Sequence, residues 1–209
     1  MTMVTYSNRS LGFGVTYDDA EIARAEGPAD ARFQAAWTDR LTTRIAGGAL
    51  FCPSTATAPK ISGGTAPSLL ITTDSTPHSP EVLGRWDWDE VIAREAEPFL
   101  TLTGAEEIEA FAVYWRGFPV LQLAAFAAPV RRPAIPVQLV GMLYTPAQTF
   151  ASLMLVPRNY EDPWLRRFQQ VMDGFFLEPI EREGRSRTDH QKVRSLTLTA
   201  RDLQGRTAR

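Results

Sequence analysis

The sequence IEAFAVYW at residues 108–115 begins the part of the chain that decides its fold. It is followed by VLQLAAFA at 120–127 and by VQLVGMLYTPAQTFASLMLV at 137–156. Runs of this length that alternate apolar residues with others are typical of half-buried strands. The third run is long enough for two strands, and Thr145-Pro146-Ala147-Gln148 at its centre predicts a turn between them. These runs predict an antiparallel meander.

A helix follows the meander. The spacing predicts it over residues 163–175, with Asp162 as the N-cap and Pro163 at the first helical position, where proline's missing N–H costs nothing. The apolar side chains of this segment then share one face, and Gly174 marks the end. That face consists of Trp164, Phe168, Val171, Met172 and Phe175.

A second helix is predicted before the meander, over residues 86–99. Asp87 and Glu90 have the spacing of a capping box, in which two side chains satisfy free amides at a helix start. Trp88, Val91, Ile92, Glu95 and Phe99 fall on one stripe. Pro98 is expected to end this helix.

The first 80 residues carry weaker signals. Two strands are predicted, at residues 6–17 and 68–73, and a strand pair is predicted around 31–45. The segments between them are interpreted as a helical turn at 18–25 capped by Asp18 and Asp19, a turn at Gly47-Gly48, a mobile loop at 53–67 and a turn at 76–80. The predicted fold class is α+β, an antiparallel sheet with helices packed on it as an α/β/α sandwich.

The chain has 209 residues, and its net charge of −2 is unevenly distributed. We predict one domain over residues 1–179 and a basic C-terminal extension over 180–209, which has a charge of +4 against −6 for the rest. Within the extension, residues 193–200 alternate as a strand with Leu196 and Leu198 on one side. Because an isolated strand is unstable, it must pair with this sheet, with another copy or with a partner.

The sequence contains no recognisable catalytic constellation. His78 and His190 lie far from any nucleophile in a recognisable turn, and the lone Cys52 is interpreted as a small, partly buried hydrophobic residue. No spacing of His, Cys or acidic residues is typical of a metal site, and the glycine pairs lack the helix and lysine of a phosphate cradle. We therefore expect no enzyme activity, no cofactor and no small-molecule substrate.

The aromatic and methionine side chains of the predicted strands are the candidate binding residues. Both faces of these strands are apolar, so either two helices and a loop cover both, or one face stays open for a partner. The candidates, with the two leucines of the extension, are Tyr114, Trp115, Phe126, Met142, Tyr144, Met154, Leu196 and Leu198. A protein partner or a second copy of the chain would occupy this surface.

Nucleic acid and membrane are not expected as partners. The arginines that a nucleic acid would need fall in turns and on a helix, whereas the aromatics are on strands, and the body of the chain is acidic. No apolar stretch reaches the roughly 20 residues of a membrane span. Residues 1–8 lack the pattern of an export signal, so a cytoplasmic location is expected.

The order of segments between residues 66 and 177 resembles the PsbP-like fold, and within it the DcrB-like and LpqN-like bacterial families. The similarity lies in the strand Ala66-Pro67-Ser68-Leu69-Leu70-Ile71, the hairpin around Trp115-Arg116-Gly117-Phe118, and the helix end Asp173-Gly174-Phe175-Phe176. Trp37-Thr38-Asp39-Arg40 resembles the early tryptophan segment of these families. The chain departs from them in its longer loop at 53–67 and its extension, and it lacks the lipid-acceptor cysteine of the lipoprotein members.

This resemblance implies an α/β/α sandwich with a non-catalytic, protein-binding role. Some relatives are chaperones that hold apolar helices of secreted effector proteins against the sheet. The resulting hypothesis is an adaptor or chaperone that holds an apolar partner segment, in a secretion-type system. The alternative is a structural subunit that donates its C-terminal strand to a neighbour in a larger assembly.

Overall fold

The computed structural model of the chain describes residues 2–24, 45–58, 67–74, 77–85, 87–103, 105, 107–125, 137–156, 161–178 and 190–199. Over these residues it contains eleven strands and three helices. The strands are β1 (Met3–Asn8), β2 (Phe13–Asp18), β3 (Ile22–Arg24), β4 (Ile45–Pro53), β5 (Ser68–Asp74), β6 (Glu107–Trp115), β7 (Phe118–Ala125), β8 (Val137–Tyr144), β9 (Thr149–Val156), β10 (Phe175–Leu177) and β11 (His190–Thr199). The helices are α1 (Pro80–Gly84), α2 (Trp88–Thr103) and α3 (Glu161–Asp173).

The described strands form two antiparallel sheets. The main sheet has eight strands in the order β11-β6-β7-β8-β9-β5-β4-β3, and the small sheet has three in the order β1-β2-β10. Helices α1 and α2 pack on one face of the main sheet, while α3 and the small sheet pack on the other. The α+β class and the layered arrangement of helices on both faces of an antiparallel sheet are confirmed, with the small sheet as an addition.

The meander β6–β9 is where the sequence predicts it, and its two hairpin turns have local causes. Arg116 and Gly117 have φ values of 50° and 81°, as a two-residue hairpin requires of both its central residues. In the second turn, the Thr145 hydroxyl donates to the Gln148 carbonyl at 2.7 Å and accepts from the Gln148 amide at 3.2 Å. At this turn the Thr145 hydroxyl therefore makes hydrogen bonds of the kind that backbone groups make elsewhere along the two strands.

Both long helices differ from their predicted bounds. Helix α2 begins after Asp87, whose carboxylate accepts from the Asp89 and Glu90 amides at 2.9 and 3.3 Å, so the N-cap is confirmed. It continues past the exposed Pro98 to Thr103, because Phe99 and Leu100 bury their side chains in the core. Helix α3 begins at Glu161 rather than at Pro163 and ends at Asp173.

Several short elements correct the sequence-based predictions. The predicted strand 6–17 is a hairpin of β1 and β2, and the predicted helical turn at 18–25 is a turn followed by β3. Gly47 and Gly48 lie within β4 rather than in a turn, and Phe175 belongs to β10 rather than to α3. Helix α1, which the sequence does not predict, begins at Pro80, the last residue of the predicted turn, and the Ser79 hydroxyl accepts from the Val82 amide at 3.1 Å as its N-cap.

The strand of the C-terminal extension lies in the sheet of its own chain. β11 pairs with β6 from His190 opposite Trp115 to Thr199 opposite Glu107, with a bulge between Lys192 and Arg194. The sequence left three possible partners for this strand: its own sheet, another copy or a different protein. In the structure it pairs with its own sheet. The predicted strand pair around 31–45 lies almost wholly outside the described residues, as do residues 59–66 of the predicted loop and Trp37 to Arg40.

Candidate functional site

The two faces of the main sheet are covered to different extents. We call them the α2 face, which carries Ile108, Leu121 and Tyr144, and the α3 face, which carries Leu143 and Phe150. On the α2 face, α1 and α2 pack over the strands β6, β7 and β8. On the α3 face, α3 and the small sheet pack over β4, β5, β8 and β9, and they contact β6 and β7 only toward the Trp115–Phe118 hairpin. Beside α3, none of the described helices or strands covers this face.

A groove occupies this uncovered part. It encloses a cavity of about 240 Å³ between the strands β5–β9 on one side and α3 with β10 on the other. The lining is mostly apolar, and half-buried side chains contribute to it alongside fully buried ones. The sheet side chains that form its floor are Ile71, Phe111, Trp115, Val120, Gln122, Ala124, Leu139, Leu143, Phe150, Ser152 and Met154.

Strand register explains where the cavity of the groove lies. Gly141 of β8 sits opposite Gln122 of β7 and opposite Ser152 of β9. These residues form a row across the strands, which continues to Phe111 on β6, opposite Gln122, and to Ile71 on β5, opposite Ser152. Since glycine has no side chain, and a Cβ atom there would come within 2.9 Å of the Ser152 hydroxyl oxygen, the centre of the row is low. Two apolar rows flank it, one through Val120, Leu143 and Phe150 and one through Ala124, Leu139 and Met154.

Few polar groups reach the groove. Gln122 is exposed on its floor, and the Ser152 hydroxyl donates to the Gly141 carbonyl at 3.4 Å. At the rim, Arg116 places its guanidinium 4.8 Å above the Trp115 ring, and Gln169 and Asp173 project from α3. The groove thus combines an apolar floor with a polar rim, as protein-binding sites do.

The predicted binding residues do not come together on one surface. Trp115 and Met154 lie on the α3 face and line the groove. The other described candidates lie on the α2 face, beneath or beside the helices: Tyr114, Met142, Tyr144, Leu196 and Leu198. Phe126 lies outside the described residues. The described candidates therefore divide between the two faces, because alternate residues of a strand point to opposite faces, and their role in binding stays a prediction.

The groove residues that sequence reasoning missed are Gln122, Gly141 and Ser152. None of them is aromatic or strongly apolar, so none stands out in a search for binding residues. Gly141 carries the available signal, since a glycine inside a strand often marks a close approach of another group. Its two cross-strand neighbours become visible only with the register.

A polar cluster lies elsewhere, where the segment before α1 meets the hairpin of β8 and β9. The His78 ring contacts the Thr149 hydroxyl at 2.7 Å and the Tyr144 ring edge-on at 5.5 Å. Burial lowers the pKa of His78, the charge of Arg94 lowers it further, and Asp74 opposes both. Burial, with the charge of Glu95, raises the pKa of Tyr144 far above its usual range. Both side chains are thus held neutral at pH 7, as structural polar groups at a helix–sheet contact.

Two further properties concern the described residues. They contain no group of three His, Cys, Asp or Glu side chains placed to hold a metal ion. None of the described helices is long and apolar enough to cross a membrane.

The comparisons with known proteins bear on the fold. No protein-family model matches the chain, and no curated protein matches it. Among solved structures, the chain is similar to the solution structure of cyanobacterial PsbP (CyanoP) from Synechocystis sp. PCC 6803. The two share 10% sequence identity with a TM-score of 0.51, over 84% of this chain and 92% of the other. This likeness shows the PsbP-like fold, while membership of the DcrB-like or LpqN-like families stays a prediction.

Proposed function

We propose that this chain is a non-catalytic binding protein that holds an apolar segment of a partner protein in the groove of the α3 face. The observation that carries the proposal is the groove itself, an apolar floor on five adjacent strands that α3 and the small sheet leave accessible. An apolar floor bordered by polar side chains is the composition of a protein-binding site. The partner segment would cover it.

The shape of the groove favours a partner's side chains over a drug-sized ligand. Its cavity of about 240 Å³ lies below the roughly 300–1,000 Å³ of ordinary small-molecule pockets. Binding energy at protein interfaces is concentrated in a few anchor side chains that fill such pockets. We infer that the hollow over Gly141 takes one or two bulky apolar side chains, with the flanking rows packing beside them.

The resemblance to PsbP-like chaperones supports an adaptor or chaperone role in a secretion-type system. Under this proposal the bound segment is one that would otherwise expose apolar residues before it reaches its destination. The alternative, a structural subunit that donates its last strand, has less support, because β11 already completes the sheet of its own chain through pairing with β6. Donation would require that pairing to be exchanged between copies.

Two matched positions test the proposal. Gln122 and Gln170 are both exposed, but Gln122 lies on the floor of the groove and Gln170 of α3 does not line it. We would place a photo-crosslinking benzoylphenylalanine at each position in the full-length chain, irradiate it in the native host and identify the crosslinked peptides by mass spectrometry. Position 122 should capture apolar segments of one partner protein, and position 170 should not.

The charge variants complete the test. Gln122→Glu should lower partner capture by at least about tenfold, because burying an uncompensated carboxylate against an apolar segment is costly. Gln170→Glu makes the same chemical change outside the groove and should leave capture unchanged. Equal capture from both crosslinking positions, or an unaffected Gln122→Glu variant, would contradict the proposal.

A further inference from the structure

Among the described strands, β11 forms the longer of the two edges of the main sheet. Among the described residues, β11 has β6 as its neighbour on one side and no strand on the other. The opposite edge of the sheet is β3, which has three residues against ten in β11. A strand at an edge presents backbone amides and carbonyls that can pair with another chain.

Half of this edge lacks the usual protection against such pairing. Natural edges carry charges, prolines or bulges that prevent a second strand from adding. In β11, the bulge and the charges are confined to the first half, at Lys192 and Arg194. The second half, Ser195-Leu196-Thr197-Leu198-Thr199, has no charge, proline or glycine, and its pairing with β6 is regular.

The same half is complementary to itself. If two copies pair antiparallel about a two-fold axis at Thr197, each Leu196 lies opposite Leu198 of the other copy and the two Thr197 residues face each other. Leu196 and Leu198 lie on the α2 face, opposite Ala110 and Ile108 of β6, and Leu196 is only half-buried within one chain. Pairing would bring apolar side chains together on one face and hydroxyl groups on the other, both of which stabilise cross-strand pairs.

We propose that a second copy of this chain pairs along the outer edge of β11, with Thr197 on the two-fold axis, to form one continuous sixteen-stranded sheet. The axis is perpendicular to the sheet, so it keeps both α3 faces on the same side. The two grooves then lie side by side, and the strands β6 of the two copies are separated by three strand spacings, roughly 14 Å. This proposal does not rest on what the groove binds.

Two measurements on the full-length chain test it. The first is the molar mass by sedimentation or light scattering over a wide range of protein concentration, which should rise toward twice the 23.2 kDa of one chain. Thr197→Glu should keep the mass at one chain, because two carboxylates would face each other across the axis. The matched control is Thr5→Glu, at an exposed position of β1, the edge of the small sheet, and it should leave the mass of the wild type unchanged.

The second measurement does not depend on charge. In a Cys52→Ser background, Thr197→Cys should form a disulfide-linked dimer under mild oxidation, since facing residues in adjacent strands have Cβ atoms about 5 Å apart. Thr5→Cys in the same background should stay monomeric. Because Glu109 lies opposite Thr197 within one chain, the unfolding midpoint of Thr197→Glu is measured alongside. A wild type that stays at one chain at every concentration, or a crosslink through position 5 instead of 197, would overturn the proposal.

Discussion

The amide of Thr16 donates to the carbonyl oxygen of Gly174 at 3.0 Å, so the residue that follows α3 lies directly against the middle of β2. A Cβ atom at Gly174 would come within 2.1 Å of the Thr16 carbonyl oxygen. That oxygen belongs to a strand paired on both sides, so it cannot move aside as a flexible side chain would. The close contact between α3 and the small sheet therefore requires glycine at this position.

We expect Gly174→Ala to lower the free energy of unfolding by about 1–3 kcal/mol, the usual cost of forcing an extra carbon into a packed contact. Urea denaturation gives the value. Gly117→Ala is the comparison, because nothing lies within 4 Å of a Cβ atom added there. With φ at 81°, this variant should lose only about 1 kcal/mol, the backbone strain of an alanine in that conformation. A Gly174→Ala protein as stable as the wild type would show that the contact is looser than the structure has it.

The attachment of α3 to the core makes a second prediction. Phe168 is 0% exposed and contacts Trp164 with ring centroids 5.6 Å apart. Phe168→Ala should destabilise the fold by about 3–5 kcal/mol, because it removes buried area and leaves a cavity. Gln170→Ala, on the exposed side of the same helix, should change the free energy of unfolding by no more than about 0.5 kcal/mol. Similar losses for both would mean that α3 does not pack as described.

The lowered pKa of His78 predicts a pH dependence of stability. Burial first, and then the charge of Arg94, disfavour the protonated ring, while Asp74 favours it. The unfolded chain therefore takes up this proton first as the pH falls through the usual value of about 6.5, and stability is lost until the pH passes below the lowered value in the fold. His78→Gln removes this titration.

Urea midpoints measured between pH 5 and pH 8 for both proteins isolate the effect, since the other titrating groups are common to both. The wild type should lose more stability than His78→Gln as the pH falls through this window. An NMR titration should place the ring of His78 below 6.5, with the resonance assigned by its absence in the variant. Parallel curves for the two proteins would show that His78 is not held neutral by the fold.

Cys52 gives a prediction about reactivity. Burial raises the pKa of its thiol, so less of the reactive thiolate is present at pH 8 than for a free cysteine. We expect a disulfide reagent such as DTNB to react with the folded protein several-fold more slowly than with the urea-unfolded chain. Since Cys52 is the one cysteine in the sequence, the rate belongs to it. Equal rates would contradict the burial of this strand position.

The meander and the two long helices were predictable because each is specified by local pattern. Alternation over eight or more residues separates strand from helix, and Asp87 marks a helix start without reference to the rest of the chain. The three-residue strands β3 and β10 were not predictable, because so short a segment shows no periodicity. The end of α2 was misplaced for another reason: the burial of Phe99 and Leu100 outweighs the preference of Pro98 to end a helix.

The groove could not be predicted from the sequence, because its position depends on strand register. Its centre depends on Gln122, Gly141 and Ser152 standing in one row across three strands, and a shift of one residue in either pairing would separate them. The alternation of side chains between the two faces also separates the predicted binding residues. Tyr114 and Trp115 are adjacent in sequence and point to opposite faces. Composition predicts that a sheet has apolar faces, whereas register decides which side chains share one.

The pairing of β11 with β6 also sets an order of events during translation. β11 begins 75 positions after β6 ends, so at about 5–20 residues per second a ribosome needs roughly 4–15 s to make the strand that covers the β6 edge. The hairpins β6–β7 and β8–β9 are completed within this interval, while the amides and carbonyls along that edge still lack their partner strand. The nascent chain is most vulnerable to wrong strand pairing in these seconds, and it depends on the timely arrival of its last described strand.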